Sequence, residues 1–527
     1  MAASALVSLS KKIIKPFSPT PFSERIYKLS FIDQFNSTQY CPLVFFYPKN
    51  KGNVVTPSIE PSDMCKVIEN SLSKTLAAYY PFAGTLRDNV HVECNDIGAD
   101  FFKARFDCPM SEIVKSPDRN VKEMVYPKGI PWNIVTSNRK LVTVQFNQFD
   151  CGGIALSTCV SHKIGDMCTM SKFLQDWAAI ARDPNLKLCP QFIGSSIFPP
   201  TNEPVNEPPI QKCVTRRFVF SNHTLKSLLS EPSQVKNPTR VELLTALLYK
   251  CGMKANSSSL KPSILFQTVN LRSFIPLPDN TAGNFSSSFF VPTYSEEEMK
   301  LSRLVSQLRK EKEQLVGNYK NCKGGEDLIS TTMRPFQEIR KLFKDMDFDM
   351  YRCSSLANYP LYDVDFGWGK PNKISIAEGV FRNVFLLYDN KTGDEVEASV
   401  CLDEESTMSA FLREMEQFLQ FEISSEEIKM EARCLLLKME LSRSHPTAKF
   451  NLQAPALSSS FFHLCIFVLV ACFTYPIVCS SNSERYQAAL FVFSDSVFDP
   501  GNNNYSYHYY SVQRKDSHIY MQLEKDL

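Results

Sequence analysis

The amino-acid sequence predicts an α/β protein in which amphipathic helices pack in layers against strands. Residues 141–161 alternate between apolar and polar residues around Gly152-Gly153, a pattern typical of a hairpin or a bulged strand pair. The next segment, 166–182, has a helical period, with one apolar face formed by Met170, Phe173, Leu174, Trp177 and Ala181. Helices and alternating strands recur later without a strict βαβ rhythm, which favours α/β layers over an all-helical bundle.

A proline-rich segment divides this pattern into two halves. Residues 199–212 contain five prolines with acidic residues between them, a composition that excludes a helix or a central strand. We therefore predict two large domains, at 1–198 and 213–430, joined by a crossover linker at 199–212.

Local signals define the elements that follow the linker. Residues 213–220 alternate as a strand does, and Asn222 is a plausible N-cap for the helix after it. Thr239 and Glu242 have the spacing of a capping box. Residues 297–316 are charged and helix-prone, with Leu301, Leu304, Val305 and Leu308 on one side.

Composition excludes several classes of function. Lys and Arg number 58 and Asp and Glu 56, and no basic stripe is interleaved with aromatic residues, so we expect no nucleic-acid binding. The 17 cysteines show no Cys-x-x-Cys pair and no Cys/His cluster with zinc spacing, which favours reduced, mostly buried thiols and no metal site. The N-terminus lacks the apolar core of a secretory signal, so we expect a cytosolic protein. We also expect a monomer.

A histidine stands at the predicted turn from strand to helix. The motif at this turn is His162-Lys163-Ile164-Gly165-Asp166, and a second motif follows about 200 residues later, Asp365-Phe366-Gly367-Trp368-Gly369. A histidine at such a turn can be held rigidly while its ring faces a cleft. Two glycines on either side of a tryptophan indicate a tight loop with an anchored aromatic side chain.

With these two motifs in this order, the chain resembles the BAHD acyltransferases, plant enzymes that move an acyl group from coenzyme A to an alcohol or amine. Further segments that match the family are 14–33, 72–84, 94–98, 237–242, 269–272 and 283–284, so the resemblance extends from residue 1 to about 430. One departure is Met167, where many members carry glycine. The resemblance implies two similar domains of the chloramphenicol acetyltransferase type with a channel between them, acyl-CoA as co-substrate and a small-molecule acceptor.

Acyl transfer from a thioester to an alcohol needs a base for the hydroxyl proton and a group that stabilises the oxyanion. His162 suits the first task, because an imidazole can be neutral in the cytosol. Covalent catalysis would need a nucleophile beside a base, and no Gly-x-Ser-x-Gly elbow occurs before residue 490. We therefore predict direct transfer within a ternary complex.

Other site residues are predicted through the resemblance. It implies that Asp166 points away from the substrate and forms an ion pair with Arg272, which fixes the turn that carries His162. Asp365 has two interpretations: a catalytic residue, or part of a structural loop with Gly367 and Trp368 on the coenzyme side of the channel. For the coenzyme phosphates the candidates are Thr239 and Arg240 at a helix start.

Residues 431–527 belong to neither predicted domain. Residues 461–479 form an apolar run, interrupted by Pro476, for which membrane attachment is not favoured. Residues 488–505 resemble the first block of the GDSL esterases and lipases, with Ser496 at the nucleophile position. The later blocks do not follow, so we expect Ser496 to have no histidine partner. We interpret this tail as the opening of a second protein, joined by a gene fusion or by a transcript or gene-model error.

The leading hypothesis is a coenzyme A-dependent O-acyltransferase of plant specialised metabolism. An acetyl donor is favoured because the N-terminal and His162 segments look most like the alkaloid and alcohol acetylating members of the family. The alternatives are an N-acyl or hydroxycinnamoyl transferase of the same family, a decayed relative retained as an interaction protein, and a serine esterase.

Overall fold

The protein is described here from a computed structural model. It describes residues 6–49, 60–116, 119–127, 140–201, 211–228, 235–256, 261–322, 325–342, 344, 347–377 and 379–418, together with 509–515 and 518–524. Residues 1–434 form one compact unit and 435–527 a second.

Strands of the first unit form two six-stranded sheets and one small sheet. The first sheet has the order β1-β6-β7-β8-β3-β13 and contains β1 (Leu6–Ile14), β3 (Tyr40–Tyr47), β6 (Ala99–Phe106), β7 (Val142–Gln148), β8 (Ile154–Ser161) and β13 (Lys373–Ile376). The second sheet has the order β11-β10-β12-β14-β15-β9 and contains β9 (Val214–Ser221), β10 (Ser263–Asn270), β11 (Ser286–Thr293), β12 (Asp349–Ser355), β14 (Val384–Asp389) and β15 (Glu395–Leu402). The small sheet contains β2 (Ile26–Lys28), β4 (Thr85–Arg87) and β5 (His91–Glu93).

The helices range from one turn to 20 residues. They are α1 (Phe31–Phe35), α2 (Pro61–Ala78), α3 (Met110–Lys115), α4 (Arg119–Glu123), α5 (Met167–Arg182), α6 (Gly194–Ile197), α7 (Asn222–Leu228), α8 (Arg240–Asn256), α9 (Leu301–Lys320) and α10 (Gly325–Leu342), followed by a helical segment over 405–418. Two short 3-10 turns, His162–Ile164 and Leu271–Ser273, carry residues of the candidate site.

Helix α5 forms as its apolar period predicts and packs on α2. Its Trp177 is fully buried, and the indole Nε1 donates hydrogen bonds to the Ile68 carbonyl at 3.2 Å and to Ser71 Oγ at 2.9 Å. Strands β7 and β8 pair antiparallel, as the alternation over 141–161 predicted, and every residue of β8 is buried. The His162 turn therefore begins at the end of a buried, interior strand of the first sheet.

The two halves interlock. Strand β13, which lies late in the sequence, joins the edge of the first sheet against β3, and Phe366, Trp368 and Ile374 pack in the first hydrophobic core. Conversely, Phe31 near the N-terminus packs in the second core with Phe198. The domain boundaries at 198 and 213 stay a prediction, and the packing exchanges segments from either side of them.

The local signals of the second half have mixed outcomes. Thr239 and Glu242 form the predicted capping box, since the Thr239 amide donates to Glu242 Oε2 and the Glu242 amide donates to Thr239 Oγ1. Asn222, predicted to precede a helix, is instead the first residue of α7. In the tail, β16 (Tyr509–Lys515) pairs antiparallel with β17 (His518–Glu524). The apolar run 461–479 and the esterase-like block 488–505 lie outside the described residues.

Candidate active site

The turn that carries His162 is held at three points. Ser161 Oγ accepts a hydrogen bond from the Lys163 amide, and the His162 amide donates to the Gln39 carbonyl at 2.9 Å. The Lys163 side chain is fully buried, and its Nζ donates to the Gln34 carbonyl at 2.7 Å. Because Gln34 lies on α1, this hydrogen bond connects the turn to a second element. The backbone position from which the His162 side chain projects is therefore fixed.

Asn284 orients the imidazole ring. Its side-chain Oδ1 lies 3.2 Å from His162 Nδ1, while its Nδ2 donates to the His162 carbonyl and to Asp33 Oδ1, each at 2.8 Å. Since both Nδ2 contacts are acceptors, the amide oxygen must face the ring, and Nδ1 is the nitrogen that donates to it. Nε2 then carries the lone pair, and a general base needs such an unprotonated nitrogen.

Asp33 holds Asn284 in the position that orients the imidazole ring. Its carboxylate is fully buried and accepts hydrogen bonds from the amides of Ser30 and Asn284, from Ser30 Oγ and from Tyr27 OH. Burial raises the pKa of Asp33, although the hydrogen bonds from Asn284 and Ser30 lower it in part. The sequence interpretation noted Asn284 and Asp33 only as segments that match the family. Their function follows from contacts between residues far apart in the chain.

Asp166 and Arg272 form an ion pair beside the histidine turn. Arg272 Nη1 lies 2.7 Å from Asp166 Oδ2, and the two side chains are 13% and 11% exposed. Asp166 Oδ1 accepts from the Thr169 amide and so caps α5, while Oδ2 also accepts from the Phe285 amide. Burial opposes the charge of Arg272, but the attraction of Asp166 raises its pKa overall. Both carboxylate oxygens are thus occupied by structural contacts.

The His162 turn borders a cavity of about 270 Å³ between the two six-stranded sheets. The first half contributes lining residues from β3 and the His162 turn, including Cys41, Leu43, His162, Asp166 and Met167, and β13 adds Ile376. The second half contributes residues from β10, β11, β12, β14 and β15 and from the loops beside them, including Thr268, Asn270, Ser286, Ser354, Tyr359, Phe381, Leu386, Ser399 and Cys401. Met167 therefore contacts the space in which a substrate would lie.

Two cysteine thiols face this cavity from opposite sides. Burial raises the pKa of Cys41 to about 12 and that of Cys401 to about 12. Thiols with such pKa values stay protonated at neutral pH, and the thiolate is the nucleophilic form of cysteine. Neither Cys41 nor Cys401 is therefore suited to form an acyl-enzyme.

The second motif lies in a loop at the far end of α5. Asp365 Oδ1 accepts hydrogen bonds from the amides of Gly367 at 2.8 Å and Gly369 at 2.9 Å, and its carbonyl accepts from Arg182. Arg182 ends α5 and is 15 positions from Met167, so the two ends of the helix are about 22 Å apart. Asp365 does not line the cavity with His162, and its contacts favour the structural interpretation.

Glycine is required by the backbone of this loop. Gly367 and Gly369 have φ angles of 111° and 104°, a region that other residues rarely adopt. The turns allow Phe366 and Trp368 to stack with ring centroids 5.7 Å apart, and Tyr47 of β3 contacts both rings edge-on. The loop therefore joins the second half of the chain to the first core.

The predicted phosphate-binding residues already have protein partners. Thr239 caps α8, while Arg240 Nη1 donates to the Gly393 carbonyl at 2.8 Å and Nη2 lies 3.3 Å from Asp389 Oδ1. Neither residue lines the cavity. Their assignment to the coenzyme phosphates stays a prediction. Within the described ranges no cluster of three potential metal ligands occurs, and no helix there is long and apolar enough to span a bilayer.

Comparisons with known proteins give the family. A model of the Transferase family matches residues 6–418. The chain is 42% identical over 437 residues to acyltransferase Pun1 of Capsicum frutescens, covering 79% of this chain and 98% of that protein. It is 36% identical over 440 residues to deacetylvindoline O-acetyltransferase of Catharanthus roseus, covering 79% of this chain and 97% of that protein.

Solved structures agree with this result. Vinorine synthase aligns with a TM-score of 0.67 and 29% identity, over 77% of this chain and 96% of that one. The TRI101 protein of F. sporotrichioides, solved with coenzyme A and T-2, shares the fold with a TM-score of 0.57 and 16% identity, over 75% and 98% of the two chains. The α/β fold with a cavity between two sheets is therefore the one that the sequence predicted. The chain belongs to the Transferase family, in its BAHD branch, and is an acyl-CoA-dependent acyltransferase.

Proposed function

We propose that His162 is the general base of a direct acyl transfer from coenzyme A to a hydroxyl group of a small plant metabolite. The observation that supports this most is the orientation of the imidazole. Asn284 takes the hydrogen bond of Nδ1, and the ring borders the cavity between the sheets. Nε2 is then available to accept a proton from a substrate in that cavity.

The reaction proceeds in two steps without an acyl-enzyme. The acceptor oxygen attacks the thioester carbonyl carbon while Nε2 of His162 takes the hydroxyl proton, which gives a tetrahedral oxyanion. The carbon–sulfur bond then breaks, and the leaving thiolate takes the proton from the imidazolium, so that free coenzyme A and the ester are the products. The high pKa values of Cys41 and Cys401 favour this route over a covalent one.

Asp166 and Arg272 position the base without taking part in proton transfer. Both oxygens of Asp166 are bonded to Thr169, Phe285 and Arg272. The pair connects the start of α5 with the turn at 271–273, and so fixes the His162 turn relative to the second half. We assign Asp365, Gly367 and Trp368 to the loop that joins the halves, and not to the chemistry.

We further propose a short, uncharged acyl donor, acetyl-CoA being favoured. Among the described residues, no lysine or arginine lines the cavity, so the carboxylate of a malonyl group would find no cation there. Several similar proteins are named as O-acetyltransferases, among them deacetylvindoline and salutaridinol acetyltransferases, whereas one at 39% identity is named as an N-malonyltransferase. None of the 13 cysteines in the described part of the chain forms a disulfide, which supports a reducing compartment such as the cytosol.

A coupled assay tests the proposal. The purified full chain is incubated with acetyl-, malonyl-, benzoyl- or coumaroyl-CoA and a panel of plant alcohols, and both free coenzyme A and the ester product are measured. We expect acetyl transfer, and we expect His162→Ala to reduce it by about 10²–10⁴-fold. His91→Ala, in the small sheet away from the cavity, is the matched control and should retain activity. Transfer by a folded His162→Ala variant at the wild-type rate would exclude His162 as the base.

A further inference from the structure

One face of the second sheet lines one side of the cavity, and a row of hydroxyl groups runs across the strands on this face. Ser354 on β12 stands opposite Leu386 on β14, and Leu386 stands opposite Ser399 on β15. Thr268 on β10 lies next to Ser354, whose Oγ donates to Thr268 Oγ1 at 3.2 Å. All four residues line the cavity. We call Thr268, Ser354 and Ser399 the hydroxyl row.

The spacing of the row follows from the sheet. Neighbouring strands lie about 4.8 Å apart, so Thr268 and Ser354 are neighbours and Ser399 lies about 10 Å beyond Ser354, with the apolar Leu386 between them. Each of the three hydroxyl-bearing side chains is partly exposed, and the Ser399 hydroxyl forms no hydrogen bond with the described residues. The row therefore offers polar contacts at two positions, separated by one apolar contact.

Among the described residues that line the cavity, no lysine, no arginine and no unpaired carboxylate occurs. The ionisable groups among these lining residues are His162, Asp166, Tyr359 and the two thiols. Asp166 is neutralised by Arg272, and burial raises the pKa values of Tyr359 and of both thiols, so these stay protonated. Arg217 on β9 stands opposite Ser399, the last residue of the hydroxyl row, but does not line the cavity. Its side chain donates to Ser375 Oγ and lies 3.9 Å from Glu397.

We infer that the acceptor is an uncharged molecule with more than one oxygen function, and that Thr268, Ser354 and Ser399 determine this specificity. The inference rests on the proposed function, because a two-carbon acyl group leaves the remaining space to the acceptor. A cationic or anionic acceptor would lose its hydration in this cavity and find no counter-charge among the described residues that line it. An acceptor with a second oxygen would exchange water for one of the row's hydroxyl groups.

A matched set of alcohols tests the charge rule. The full chain with acetyl-CoA is given 1-hexanol, 1,6-hexanediol, 6-hydroxyhexanoate or (6-hydroxyhexyl)trimethylammonium, and kcat/KM is measured for each. We expect the diol to react at least as well as 1-hexanol, and each charged alcohol at least about 30-fold less well. A charged alcohol that stays within this 30-fold range would overturn the inference. If none of the four alcohols were acetylated, the proposed transfer to alcohols would itself be wrong.

Substitutions in the row test the assignment of residues. Thr268→Val and Ser399→Ala should each lower the ratio of kcat/KM for the diol to that for 1-hexanol by about 2–10-fold, the value of one hydrogen bond. Ser288→Ala is the matched control, because Ser288 stands opposite Thr268 on β11 but does not line the cavity, and its ratio should not change. Ser399→Asp should raise the relative kcat/KM for the trimethylammonium alcohol at least about 10-fold. Unchanged ratios in Thr268→Val, Ser399→Ala and Ser399→Asp would show that the acceptor does not contact this row.

Discussion

The side-chain oxygen of Asn284 lies 3.2 Å from Nδ1 of His162, although the two residues are 122 positions apart in the sequence. The same asparagine donates to the fully buried carboxylate of Asp33, so its amide cannot turn over without losing two hydrogen bonds. A side chain from the second half of the chain thus sets the protonated nitrogen of His162, the proposed base, which belongs to the first half. The candidate site is formed only when the two halves are assembled.

The first prediction concerns this asparagine. Asn284→Ala should lower kcat by about 10²-fold, because a ring that is free to rotate or change tautomer is seldom aligned with the acceptor hydroxyl. The KM for acyl-CoA should change little, since Asn284 does not line the cavity. Asn185→Ala, in an exposed turn, is the control for side-chain loss. An unaltered kcat in a folded Asn284→Ala variant would show that the ring needs no such partner.

The second prediction concerns Asp166 and Arg272. Removing one partner of this largely buried pair, by Asp166→Asn or Arg272→Gln, should destabilise the protein by about 3–5 kcal/mol and lower activity with it. The double variant should be less destabilised than the sum of the two single ones, which a double-mutant cycle in urea unfolding measures. Strict additivity would mean that the ion pair does not contribute to the folded state.

The third prediction separates the two interpretations of Asp365. Asp365→Asn keeps the Oδ1 acceptor for the Gly367 and Gly369 amides, so it should retain most activity. Asp365→Ala removes the acceptor and should cost about 1–3 kcal/mol of stability, with a parallel loss of activity. Thermal unfolding and kcat are measured for both variants. If Asp365→Asn folds normally but is as inactive as Asp365→Ala, the carboxylate itself has a role in catalysis.

The fourth prediction concerns the tail. The family match ends at residue 418, and the first compact unit ends at 434. Truncation near residue 440 should therefore leave the specific activity of acyl transfer unchanged. It should also improve recovery of the protein, because the apolar run 461–479 is removed. A truncated protein that folds, as judged by circular dichroism, but does not transfer acyl groups would assign the tail to the enzyme.

The sequence by itself determined the elements that depend on local pattern. The apolar period over 166–182 predicted α5, the alternation over 141–161 predicted the hairpin of β7 and β8, and Thr239 with Glu242 predicted a capping box. Each of these signals involves residues a few positions apart, whose contacts are the same in any fold that contains the element. The order of the two motifs, with the segments between them, also sufficed to predict the family.

Only the tertiary structure decided which side chains share the site. The amide of Asn284 bonds to Asp33 across 251 residues, and the hydroxyl row combines residues of three separate strands. Sheet order and register bring these groups together, and neither can be derived from the spacing of the residues in one chain. The separation of Asp365 from His162 also follows from tertiary packing. The loop with Asp365 and the turn with His162 pack at opposite ends of α5, and the two sequence motifs do not predict this distance.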